Sequence, residues 1–163
     1  MAKLVGLVKP LTGYMSLAVI LGLLGHLCAT AITVLGGLAL LHTLGMEQPF
    51  SLSVLFLLVG LCALLRGVLR YGEQTCNHFI AFKLLALLRD RVFAVLRRLC
   101  PAKLEGTNKG NLISVITSDI ELLEVFYAHT ISPICIAVLY TALTTAFLWS
   151  YHPVLGGIAW WEF

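Results

Sequence analysis

Aspartate, glutamate, lysine and arginine are absent from Pro10 to Met46, from Gln48 to Leu65 and from Val125 to Trp161. Each gap approaches or exceeds the roughly 20 apolar residues that a helix needs to cross a bilayer core. In water, surfaces this poor in charge would have to be buried in a core far larger than a chain of 163 residues can build. Hydrophobic residues make up 60% of the sequence and charged residues 12%, against about 45–50% and about 25% in soluble domains. The expected fold class is therefore an all-α membrane protein, with the lipid bilayer as its first partner. A net charge of +3 makes no case for nucleic acid. A secretory signal fits poorly, because the apolar run from Leu11 to Leu44 is too long for one and further spans follow.

The charges that do occur are sorted. All 11 Lys and Arg lie either at Lys3 and Lys9 or between Arg66 and Lys109. The positive-inside rule then puts the N-terminus and the 66–124 region in the cytoplasm and the 42–50 loop outside, which predicts a multi-pass membrane protein with a cytoplasmic N-terminus. Residues 1–13 read as a basic amphipathic helix at the cytoplasmic interface, ended by Pro10. A first span is expected at about 14–44, followed by a turn carrying Gly45, Glu47 and Pro49. Nothing breaks the second helix where the bilayer should end. Leu85, Leu88, Val92, Val95 and Leu99 keep a helical apolar period, while Arg89, Arg91, Arg97 and Arg98 take mostly other faces. The helix is expected to run over about 51–99, on the order of 70 Å at about 1.5 Å per residue.

Pro101, Gly106, Asn108 and Gly110 predict a tight cytoplasmic turn. A second long helix is expected from about 111 to 149, polar at Asp119, Glu121 and Glu124, then apolar, with a possible kink at Ser132-Pro133. A fourth apolar segment starts at Val154 and stops at Phe163, which predicts a truncated gene product or a piece of a longer chain. Cys28, Cys62, Cys76, Cys100 and Cys135 are scattered and odd in number. They read as small apolar helix residues, with no zinc or disulfide framework.

Two polar strips stand out inside the spans. Gly22, His26, Thr30, Thr33 and Gly37 share one face of the first helix, and Arg66, Arg70, Glu73 and Asn77 share one face of the second. One reading is that His26, Thr30, Thr33, Arg66, Arg70, Glu73 and Asn77 line a translocation cavity, since ionisable residues in membranes usually face a pathway or a partner. The other is close packing through small residues, with a structural ion pair and snorkelling at the headgroups. Both stay open at this level.

Two over-long helices joined by a cytoplasmic turn form the plan of type I ABC exporters. Arg70-Tyr71-Gly72-Glu73, Asn77-His78, Phe82, the run from Leu84 to Arg89, Val92-Phe93 and Leu99-Cys100-Pro101-Ala102 resemble the CydC-like branch of that family. The runs from Gly110 to Ser114 and from Thr117 to Glu121, together with Ile131-Ser132-Pro133, continue the pattern, so the resemblance covers about residues 60–135. It implies the N-terminal, membrane-spanning part of an exporter subunit that works as a heterodimer. Such a subunit has six spans and a C-terminal nucleotide-binding domain, takes ATP and Mg there, and moves thiols or amino acids. It also implies a coupling turn at Ala102, Lys103, Leu104, Glu105, Gly106, Thr107, Asn108, Lys109 and Gly110, docked on the nucleotide-binding domains. These 163 residues contain no GxxxxGK[ST] loop to cradle phosphates, so no catalytic residue for ATP hydrolysis is expected among them. His78 matches a family position linked to haem b, although Gln74 replaces a basic residue of that pattern. The alternative is thus a small haem-binding membrane protein using His78 with His26 or His129.

Overall fold

The computed structural model describes residues 11–99, 109–126, 130–154 and 157. Four helices occur in them: α1 Thr12–Thr43, α2 Leu52–Leu99, α3 Lys109–Phe126 and α4 Ser132–Tyr151. There is no strand among the described residues. Three of the helices (α1, α2 and α4) are long and apolar enough to cross a membrane. Their outward faces fit no aqueous setting: Leu57, Leu64 and Leu44 are each at least 70% exposed, and such surfaces call for lipid or further protein. The chain is an all-α membrane protein.

α1 and α2 form an antiparallel hairpin, closed by a turn whose hydrogen bonds follow from one glycine. Gly45 adopts φ +81°, a conformation that costs little only without a Cβ. Its N–H donates to the His42 carbonyl at 3.1 Å, and that of Met46 donates to the Leu41 carbonyl at 3.2 Å. This is the Schellman pattern, which satisfies the last carbonyls of a helix and reverses the chain. A Cβ at Gly45 would meet nothing within 4 Å, so substitution there acts through the backbone alone. Gly45→Ala is expected to lower stability by about 1 kcal/mol, and Gly45→Asn by less, because asparagine tolerates the left-handed region. SDS titration of the membrane-embedded protein measures both.

α2 has 48 residues, about 72 Å at about 1.5 Å per residue. Glu73, Asn77, Ile80, Ala81 and Leu84 are buried along one line of it, the line that faces α1. Tyr14 of α1 meets Phe79 with ring centroids 4.6 Å apart. Leu11, Ile80 and Leu84 then close the small apolar cluster at that end, with Met15, Leu87 and Leu88 around it. Past Leu88 there is no α1 left to pack on, and α3 takes over. Arg89, Val92, Phe93 and Leu96 face Ile116, Thr117 and Ile120 across an apolar groove of about 260 Å³. The inner seam thus runs through Leu88, Val92 and Leu96, and Val95, expected on it, is 56% exposed. Val95 and Leu96 are adjacent on the helix, and the position of α3 puts Leu96 on the groove.

Of the helix expected over about 111–149, two helical segments are described, α3 up to Phe126 and α4 from Ser132. Thr130 and Ile131 form a wider π-helical turn between them, and 127–129 lie outside the described residues. Pro133 in the first turn of α4 has no N–H to donate back to the preceding turn, which disturbs the regular bonding pattern there. The remaining boundaries also differ from expectation or fall outside. Thr12 and Gly13 belong to α1, not to an interfacial helix, and residues 1–10 are not described. Lys109 and Gly110 open α3, while Ala102, Lys103, Leu104, Glu105, Gly106, Thr107 and Asn108 of the coupling turn lie outside the described residues. Of the fourth apolar segment only Val154 and Gly157 are described.

Candidate functional site

Lipid is as apolar as leucine, so helices in a membrane associate through close packing at small residues. Three glycines do this here. A Cβ on Gly25 would lie 3.9 Å from Leu69 Cβ, and one on Gly72 would lie 3.1 Å from Leu21 Cδ1. One on Gly22 would overlap Ile136 Cδ1 of α4 and come within 3.1 Å of Glu73 Cδ of α2. Gly22 is therefore the point where α1, α2 and α4 converge. Beside it lies a polar cleft of about 240 Å³, lined by Gly22, Gly25, His26, Arg66, Arg70 and Glu73.

The cleft has two unlike walls. On α2, Arg70 Nη1 donates to Glu73 Oε2 at 2.6 Å, with the Glu73 side chain 3% exposed and that of Arg70 56% exposed. Arg66 sits one turn away on the same face, with no ion pair among the described residues. On α1, His26 Nδ1 lies 2.8 Å from the Gly22 carbonyl. A carbonyl only accepts, so Nδ1 is the donor, and in the neutral ring Nε2 is then an acceptor. The His26 ring lies 5.5 Å from that of Tyr140 on α4. The Tyr140 hydroxyl shares a 2.6 Å hydrogen bond with Thr30 Oγ1, which ties α4 to the polar strip of α1.

Of the seven residues in the two strips, His26, Arg66, Arg70 and Glu73 meet at the cleft. Thr30 is not among its lining residues and bonds Tyr140 instead. Thr33 donates to the Ala29 carbonyl at 3.2 Å and stays exposed, while Asn77 is buried one turn beyond Glu73 and lines no part of the cleft. Cavity lining and close packing thus share these helix faces. Sequence reasoning missed Tyr140 and Ile136. The hydroxyl run Tyr140, Thr141, Thr144 and Thr145 in an otherwise apolar helix was the available signal.

A haem held between His26 and His78 does not fit. His78 stacks on Phe82 with centroids 6.3 Å apart and adjoins Phe79, which packs on Tyr14. Tyr14 and His26 are separated along α1 by about 18 Å, at about 1.5 Å per residue, so His26 and His78 cannot ligate one iron. His129 lies outside the described residues. Among the described residues no group of three His, Cys, Asp or Glu could hold a metal ion.

No family model matches the chain. It is 49% identical over 143 residues to a probable ABC transporter ATP-binding/permease protein of Haemophilus influenzae, an alignment taking in 88% of the chain and 26% of that protein. It is 34% identical over 112 residues to a glutathione/L-cysteine transport system ATP-binding/permease protein, CydC, of Haemophilus influenzae, covering 69% of the chain and 18% of the relative. CydC of Escherichia coli is 27% identical over 124 residues, covering 74% of the chain and 22% of the relative. The chain therefore spans about a quarter or less of the length of the curated relatives it matches. Three long apolar helices, one of them about twice the length a bilayer needs, and these alignments together place the chain in the transmembrane part of the type I ABC exporter family, in the branch that includes CydC.

Proposed function

We propose that the chain is the membrane-spanning part of an ATP-driven exporter subunit, and that the cleft between α1 and α2 is its share of the path for a small polar cargo. The observation that carries this reading is the cleft itself. Two arginines, a nearly buried glutamate and a histidine converge among apolar helices, where ionisable side chains are costly unless they serve a partner or a pathway. The N-terminus lies in the cytoplasm, in keeping with the basic residues at Lys3 and Lys9 and from Arg66 onward. ATP and Mg act in nucleotide-binding domains, as in the ABC relatives. Closure of those domains pushes on the 101–110 segment, and α2 and α3 carry the displacement to the cleft as rigid bodies. A second ABC subunit supplies the facing half of the cavity. The relatives named for glutathione and L-cysteine transport support a thiol or amino-acid cargo.

The test uses inside-out membrane vesicles containing the full-length protein with its partner subunit. ATP is expected to drive accumulation of labelled L-cysteine or glutathione, and a non-hydrolysable analogue is expected to abolish it. Equal accumulation with and without hydrolysable ATP would remove the pump reading.

A further inference from the structure

We propose that the cleft reads the α-amino-acid headgroup of its cargo, with the carboxylate on Arg66 and the amino group on the His26 acceptor of α1, and that it does not read the thiol. This rests on the export reading and names what that site recognises. The charges decide it. Arg70 already has a counter-ion in Glu73 at 2.6 Å, whereas Arg66 lines the same cleft with no ion pair among the described residues. A guanidinium within an apolar helix is best satisfied by a planar anion that takes two of its N–H groups at once, which is what a carboxylate does.

The opposite wall is complementary. With Nδ1 donating to Gly22 O at 2.8 Å, Nε2 of the neutral His26 ring is an acceptor, and the Tyr140 ring, held by its hydrogen bond to Thr30, lies 5.5 Å from the His26 ring. An ammonium needs an acceptor of this kind, at a short distance from its carboxylate. None of the six lining residues is a cysteine and no metal-binding group occurs among the described residues, so the cleft offers a thiol neither a disulfide partner nor a metal. Its volume, about 240 Å³, lies below the roughly 300–1,000 Å³ of sites that enclose drug-sized ligands. That is room for a headgroup, with the rest of a longer cargo outside it.

The experiment measures inhibition of ATP-driven L-cysteine uptake in the same vesicles by four unlabelled compounds: L-cysteine, L-serine, L-alanine and cysteamine. L-serine and L-alanine are expected to inhibit nearly as well as L-cysteine. Cysteamine, which keeps the thiol and amino group but lacks the carboxylate, is expected to be weaker by roughly 10- to 100-fold, the range of a lost charge-assisted hydrogen bond. Arg66→Gln should erase the gap between L-cysteine and cysteamine, and Arg66→Lys should keep part of it. Cysteamine matching L-cysteine while L-serine fails would overturn the proposal and leave export standing. Absence of any ATP-driven uptake would strike export instead. Equilibrium binding of labelled L-serine to the purified two-subunit complex then decides for the headgroup: saturable binding weakened by Arg66→Gln supports it, and no saturable binding overturns it.

Discussion

Arg70→Leu is expected to be the most damaging single change to the charged wall of the cleft, lowering stability by about 3 kcal/mol. The reason is the asymmetry of the pair: Glu73 is 3% exposed and Arg70 is 56% exposed. Removing the arginine strands a carboxylate with almost no access to water, whereas removing the carboxylate leaves a cation that can still reach solvent or headgroups. Glu73→Gln keeps the shape of the side chain and should cost only about 1 kcal/mol, the scale of one net hydrogen bond. The half-exposed arginine also keeps the loss in Arg70→Leu at the low end of what buried pairs show, because water screens that side of the pair. The double change to leucine at both positions should cost less than Arg70→Leu alone. SDS titration of the four proteins in one lipid mixture reads the ordering, and a Glu73→Gln cost equal to that of Arg70→Leu would refute the burial argument.

The second large effect belongs to Gly22. A leucine there has to displace Ile136 and the Glu73 carboxyl group together, because both lie within reach of its first carbon. Overpacking of this kind costs about 1–3 kcal/mol, and contact with two different helices puts Gly22→Leu at the upper end. Gly22→Ala is milder, about 1 kcal/mol, since the overlapping atom is the tip of a flexible isoleucine. Shortening that tip offers a direct check. Gly22→Ala combined with Ile136→Val should be more stable than the sum of the two single losses, the non-additivity expected of residues in contact. Additive losses would mean that α4 does not pack on Gly22 in the membrane.

Much of this architecture can be read from the placement of charge. The gap from Pro10 to Met46 and the basic stretch from Arg66 to Lys109 announce a hairpin whose second arm outruns the bilayer. Arg66, Arg70 and Glu73 fall on one face through helical spacing alone. Tyr140 is different. Whether it meets Thr30 depends on how deep α4 sits against α1, and that register is set by how Ile136 fits against Gly22, a cross-helix fact with no local signature. Pro133 marks a disturbance through its missing N–H, and the π-helical turn at Thr130 and Ile131 lies just before it. The step from Val95 to Leu96 on the inner seam has a cross-helix origin as well. Two adjacent apolar residues satisfy the pattern about equally, and the position of α3 picks one.

The tight turn at Gly45 makes α2 a lever with its fulcrum at one end. A tilt of about 5° there would swing the far tip through about 6 Å, for a rod rising about 1.5 Å per residue, yet the same tilt would shift Arg70 by only about 2 Å. A large stroke at one extremity is thus geared down to a displacement no bigger than what separates a made hydrogen bond from a broken one. The same tilt would slide Leu84 by about 4 Å against α1, so the apolar cluster of Leu11, Ile80 and Leu84 is where such a motion would meet its resistance.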